Sequence, residues 1–104
     1  MERCVNDYFL CDEAIKSTKE FHVPEEGLKV YEVIRVIEGI PLFLEEHMER
    51  LKKSLKLSGY ESKYQIESIA SFTDQVIKKN KDVQGNIKIV LNFYNGKEQI
   101  YVFY

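Results

Sequence analysis

From Gly27 onward the chain alternates. Leu28, Val30, Glu32, Ile34 and Val36 fall on one face of an extended segment, and Lys29, Tyr31, Val33, Arg35 and Ile37 fall on the other. The first row is apolar except at Glu32. The second mixes a cation, a phenol and a guanidinium with aliphatic positions. This pattern predicts a long strand with one core face and one mixed face. The mixed face is either the floor of a pocket or the solvent side of an antiparallel sheet. Glu38-Gly39 can close a tight hairpin into Ile40–Phe43. Pro41 restricts that short second strand to an edge, or to a position where no amide is needed.

The period then changes. Leu44, Met48, Leu51 and Leu55 recur at helical spacing. Glu45 and Glu46 sit in the first turn and Lys52, Lys53 and Lys56 toward the end, complementing the helix dipole, and Gly59 supplies a stop. His47, Arg50 and Ser54 form a polar stripe beside the apolar one. Ser62 is the expected N-cap of a second amphipathic helix carrying Ile66, Ile69, Ala70, Thr73, Val76 and Ile77, which ends near Asn80. Gly85 opens a strand in which Ile87, Ile89, Leu91 and Phe93 alternate with Lys88, Val90, Asn92 and Tyr94. Asn95-Gly96 then marks a hairpin into Gln99–Tyr104. At the other end, Glu2–Val5 and Tyr8–Cys11 read as two short strands around Asn6-Asp7, with Asp12–Glu26 as a surface connection. Strands, two helices and further strands make an α+β domain, with both helices packed on one face of a mainly antiparallel sheet. A chain ending on Ile-Tyr-Val-Phe-Tyr is expected either to have been cut or to have this strand covered in a larger molecule.

Composition narrows the class. The 104 residues suffice for one domain with a two-layer core, and 44% hydrophobic with 31% charged positions excludes a disordered chain. A net charge of −2 gives no general field for nucleic acid or an anionic membrane. No apolar run approaches a membrane span and no signal-peptide pattern is present, so the expectation is a cytoplasmic protein. The two cysteines, Cys4 and Cys11, do not oppose each other across the expected hairpin, where Cys4 would pair with Phe9 and Cys11 would face Glu2. Neither has metal-ligand spacing, and no metal site is expected.

The residue types that carry chemistry are Tyr31, Arg35, His47, Arg50 and Lys88. A phenol orients carboxylates, and guanidinium binds phosphate or carboxylate bidentately. No nucleophile motif, metalloprotease helix, P-loop or dinucleotide fingerprint is present. From the residues alone, the chain is an anion-binding module.

The run EGLKVYEVIRV, followed by GIPLF and LEEHMERL, resembles class IV, fold-type IV aminotransferases. This pyridoxal-phosphate family includes branched-chain and D-amino-acid aminotransferases and aminodeoxychorismate lyase. Its strand motif of the type YGDGVFE-x-(I/L)-R is kept at Gly27, Val30, Tyr31, Glu32, Ile34 and Arg35. Its helix motif L-x-EH-x-x-RL is complete at Leu44, Glu46, His47, Arg50 and Leu51. The resemblance implies that residues 1–104 are the N-terminal domain of a two-domain, homodimeric enzyme, forming one wall of the active site. It implies pyridoxal 5'-phosphate as cofactor, Arg50 on the cofactor phosphate, and Tyr31 and Lys88 on the side of an amino-acid or aminodeoxychorismate-type substrate. The Schiff-base lysine belongs to the family's C-terminal domain, so no catalytic residue lies here and the chain alone is expected to be inactive. The other reading is a stand-alone small-anion-binding or interaction module derived from that domain. Two departures stand out. The family's GDG is Gly27-Leu28-Lys29 here, and its carboxylate-trapping arginine loop is replaced by the short turn Phe93–Lys97, which counts against D-amino-acid specificity.

Overall fold

In the computed structural model, which describes residues 2–104, the alternating segment is strand β3 (Leu28–Ile37). It follows β1 (Tyr8–Cys11), β2 (Ala14–Ser17) and one 3-10 turn (Thr18–Glu20). It precedes β4 (Ile40–Pro41), α1 (Leu44–Ser58), α2 (Ile66–Lys79), β5 (Gly85–Tyr94) and β6 (Lys97–Phe103). The strands form one antiparallel sheet in the order β2-β1-β6-β5-β3-β4. Both helices pack on one face, so the α+β expectation holds.

The register shows why. Val30 lies opposite Leu91 and Ile34 opposite Ile87, so the apolar rows of β3 and β5 meet on the helix side. Met48, Leu51 and Leu55 of α1 and Ile69, Phe72, Val76 and Ile77 of α2 close over them. Each fully buried Leu or Ile contributes about 1.5–3 kcal/mol relative to exposure. The other face of the sheet has its own smaller cover. Phe9, Val23, Val90, Tyr101 and Phe103 cluster there. The ring of Phe21 meets that of Phe9 edge-on at 5.0 Å and tilts against Phe103 at 4.7 Å. That cover stops short of β3, whose Tyr31, Val33, Arg35 and Ile37 stay exposed.

Three sequence expectations need correction. The first hairpin pairs Tyr8–Cys11 with Ala14–Ser17 around Asp12-Glu13, not Glu2–Val5 around Asn6-Asp7. Its turn residues hold φ of 48° and 73° without a glycine. Tertiary bonds support this: Asp12 Oδ1 accepts from the Ile100 amide at 3.1 Å, and the Asp12 amide donates to the Ile100 carbonyl at 3.0 Å. The cysteine placement built on the other turn falls with it, although both cysteines are free, half-buried thiols. Second, β6 is an interior strand between β1 and β5, and Ile100 through Tyr104 are buried by elements of this same chain. Its apolar ending therefore has a cover within the domain. Third, α2 begins at Ile66 with Gln65 as its cap residue. Ser62 instead donates to Glu98 at 2.5 Å and accepts from the Tyr64 amide at 3.0 Å, tying the inter-helix loop to β6.

Two buried polar atoms, the Tyr64 hydroxyl and Asn92 Oδ1, have no hydrogen-bond partner among the described residues. Burial, then the carboxylates of Asp12, Glu13 and Glu98, pushes the Tyr64 pKa up to about 12. A raised folded-state pKa means stability is full below the unfolded value near 10 and is lost as pH rises toward 12. Tyr64→Phe removes the orphaned hydroxyl and keeps the ring that packs edge-on against Phe72. It is expected to leave the melting temperature at pH 7 unchanged or higher, and to flatten part of the alkaline decline above pH 10. A drop at pH 7 equivalent to about 1 kcal/mol or more would show that the hydroxyl is bonded.

Candidate functional site

The site is built on the bare edge of β3. β4 pairs only with Val36 and Ile37, and the Leu42 amide adds a bond to the Arg35 carbonyl at 2.8 Å. Main-chain groups alternate sides along a strand, so Val33 and Tyr31 turn their N–H and C=O to the same side as Arg35. Among the described residues no strand pairs with them there. Edge strands of this kind are usually covered or blunted.

Glu32 breaks the apolar row of β3 and is the only charged side chain in the described core, 5% exposed. Isolated, a buried carboxylate would cost several kcal/mol. It is not isolated, because α1 crosses β3 with its polar stripe facing it. His47 Nδ1 lies 2.7 Å from Glu32 Oε1. Arg50 Nε–H donates to Oε1 and Oε2 at 3.2 and 3.3 Å, and its Nη2 lies 3.1 Å from Oε1. A carboxylate oxygen accepts, so His47 donates to it through Nδ1–H. Arg50 is held along one side of its guanidinium. Of its five N–H donors, the Nη1 pair and one on Nη2 remain open. The Arg50 side chain is 68% exposed although its partner is buried.

Arg50 and Tyr31 come together. They belong to opposite faces of the sheet, yet both line a cleft of 440 Å³ at the β3 edge, with Lys29, Glu32, Ser54 and Ser58. Ser54 stands one turn beyond Arg50 on α1, which completes the polar stripe. Lys88 is not in this cleft. It lies behind Tyr31, its Nζ 4.7 Å from the ring centroid, and pairs with Glu2 at 2.9 and 3.0 Å. Lys29 also lines the neighbouring hollow of 760 Å³ that contains Glu2, His22 and Lys88. Arg35 lines neither space. His47 is a support of Glu32, not a cleft-lining acid or base. A larger hollow of 1210 Å³ between Tyr60 and the β5–β6 turn carries Asp12, Glu61 and Glu98 together with Lys63 and Lys97, so its lining has no excess of positive charge.

The member of the candidate site that the sequence pattern did not single out is Glu32. Its signal was present, as a lone carboxylate in an apolar row with a His and an Arg three apart on the next helix. Their meeting depends on how α1 crosses β3, which periodicity does not encode. Among the described residues, no group of three or more His, Cys, Asp or Glu is placed to hold a metal, and no helix is long and apolar enough to cross a membrane.

Comparison with known proteins agrees with this architecture. Residues 29–103 match the amino-transferase class IV family. Aminodeoxychorismate lyase of Bacillus subtilis is 34% identical over 70 residues, covering 67% of this chain and 24% of that protein. D-alanine aminotransferase of Staphylococcus epidermidis is 31% identical over 85 residues, covering 82% of this chain and 30% of that protein. Branched-chain amino acid aminotransferase from Escherichia coli superposes with a TM-score of 0.82 over 95% of this chain and 40% of its own, at 18% identity. Branched-chain aminotransferase from Thermoproteus uzoniensis with norvaline gives 0.77 over 94% of this chain and 40% of its own, also at 18% identity. The two solved structures bear on the fold alone. The chain spans between about a quarter and a third of the length of these curated relatives. With a match over residues 29–103 and the relatives' fold, the chain belongs to the class IV aminotransferase family.

Proposed function

We propose that this domain is the N-terminal lobe of a pyridoxal-5'-phosphate-dependent class IV aminotransferase or aminodeoxychorismate-lyase-like enzyme. It forms one wall of the active site, and Arg50 receives the cofactor phosphate. The observation that supports this most directly is the side-on clamp of Arg50 by Glu32, which leaves three N–H donors open at the mouth of the cleft. That donor set fits a phosphate dianion, and the Ser54 hydroxyl lies on the same wall. When bound, the cofactor supplies the electron sink for reactions of an amino-acid substrate. The chain's own residues hold and orient it. Arg50 fixes the phosphate end. Tyr31, 56% exposed and in the same cleft, offers its phenol to the substrate side. Lys88, paired with Glu2, packs against the Tyr31 ring and supports it on the substrate side.

The lysine that bonds the cofactor is assigned to a second, larger lobe. The working enzyme is a cytoplasmic homodimer acting on a small amino-acid or aminodeoxychorismate-type substrate, and this chain alone does not transaminate.

Arg50→Ala tests the reading. Pyridoxine 5'-phosphate keeps the ring and phosphate but has no aldehyde to react with surface lysines. Its affinity for the chain, measured by calorimetry, should fall by about 1.5–3 kcal/mol, roughly ten- to hundred-fold. Binding of pyridoxine, without the phosphate, should not respond. Equal affinity of the variant for pyridoxine 5'-phosphate would remove Arg50 from the site.

A further inference from the structure

We infer that Glu32 is a positioning residue: it fixes the direction in which Arg50 presents its open N–H donors, and His47 locks Glu32 in place. The inference rests on the reading of Arg50 as a phosphate-binding residue. It starts from an apparent contradiction. A carboxylate beside an anion site cancels the charge that should attract the anion, so electrostatics alone disfavours Glu32 here. It is also buried at 5% exposure in a row otherwise made of Val30, Ile34 and Val36, where an apolar side chain would cost nothing in desolvation.

The geometry resolves the contradiction. A free arginine at 68% exposure would sample many rotamers, and ordering it would cost binding energy. Glu32 takes the Nε edge with both of its oxygens and so fixes the plane of the guanidinium. The Nη1 side is thereby left without a partner among the described residues. His47 Nδ1–H, at 2.7 Å on Oε1, anchors the carboxylate from one turn earlier on α1. The site gives up net charge and gains a pre-oriented fork, which suits a tetrahedral oxyanion such as phosphate better than a mobile point charge does.

The two effects predict opposite signs, so one substitution separates them. Glu32→Gln makes the site one unit more positive. If charge governs, inorganic phosphate should bind the chain more tightly. If positioning governs, it should bind about five- to tenfold more weakly. In the same sample, solvent exchange of the Arg50 Nε–H, followed by nitrogen-15 NMR, should accelerate by about tenfold or more as the clamp loosens. Tighter or equal phosphate binding, with an unchanged Nε–H exchange rate, overturns the inference. Slow exchange in the parent chain and fast exchange in the variant are required for it to stand. If Glu32→Gln does not fold, Glu32→Asp keeps the charge but withdraws it by one methylene. The same losses are expected, and retained affinity and protection refute the idea. Arg50→Ala keeps the tests apart. If it leaves phosphate affinity unchanged, the anion-site reading itself fails. If it weakens binding while Glu32→Gln does not, only the positioning role fails.

Discussion

Replacing Leu51 by alanine is expected to destabilise the domain by about 2–5 kcal/mol, a large part of the 5–15 kcal/mol that holds a typical domain together. Leu51 has no exposed surface and belongs to the cluster between α1, α2 and the inner face of β3. Truncation removes its transfer energy and leaves a cavity that the rigid sheet below cannot close. The effect reaches the site, because Leu51 follows Arg50 directly and keeps α1 at the height where His47 and Arg50 meet Glu32. Urea unfolding should show a lower midpoint with an unchanged slope. A loss below about 1 kcal/mol would mean that α1 is not seated on the sheet as described.

The second large effect is expected at Gly27, immediately before β3. Its φ of +105° is one that side-chain-bearing residues rarely adopt, and a Cβ there would lie 2.5 Å from Asn92 Oδ1 and 2.8 Å from the Phe93 carbonyl oxygen. Asn92 is 2% exposed and the carbonyl is main chain, so neither can yield easily. Gly27→Ala should therefore cost more than the ~1–3 kcal/mol of backbone strain alone. Gly96 is the internal control. Its φ is +74°, but a Cβ there would meet nothing within 4 Å. Gly96→Ala should show the strain without the clash, and thermal melting should rank Gly27→Ala clearly below it. Equal losses would show that the close approach of β3 to Asn92 is not a constraint. The consequence is functional as well, since Gly27 sets where Lys29 and Tyr31 enter the cleft.

These residues also show what could be read from the chain before folding. Periods of two and 3.6 located β3, α1, α2, β5 and β6, because each of these elements buries one face and the burial writes the period. The first hairpin was misplaced because its turn, Asp12-Glu13, carries neither glycine nor asparagine and places Glu13 at a positive φ that its residue type rarely adopts. It is held by bonds to Ile100, nearly ninety positions away in sequence. Asn6-Asp7 has the better local chemistry but no partner strand to close. The apolar end of the chain pointed either to a cut or to an outside cover for its last strand. It is instead flanked by β1 and β5, and that placement is a property of strand order, which local pattern does not carry.

The site divides in the same way. Arg50 and Tyr31 were visible through residue type and motif. That they share a cleft from opposite faces of one sheet follows from the open edge of β3, and that Lys88 does not join them follows from its place on the next strand behind the Tyr31 ring. Glu32 was visible only as an exception in its row.

The central claim is that the β3 edge, with Arg50 at its mouth, is where a phosphorylated cofactor binds. Its most direct test is to titrate pyridoxine 5'-phosphate into the nitrogen-15-labelled chain and map the resonances that move. Saturable shifts confined to Lys29, Tyr31, Arg50, Ser54 and their neighbours are expected, abolished in Arg50→Ala. Shifts centred instead on the hollow beside Tyr60 and Phe93, or a pattern that Arg50→Ala leaves intact, would contradict it.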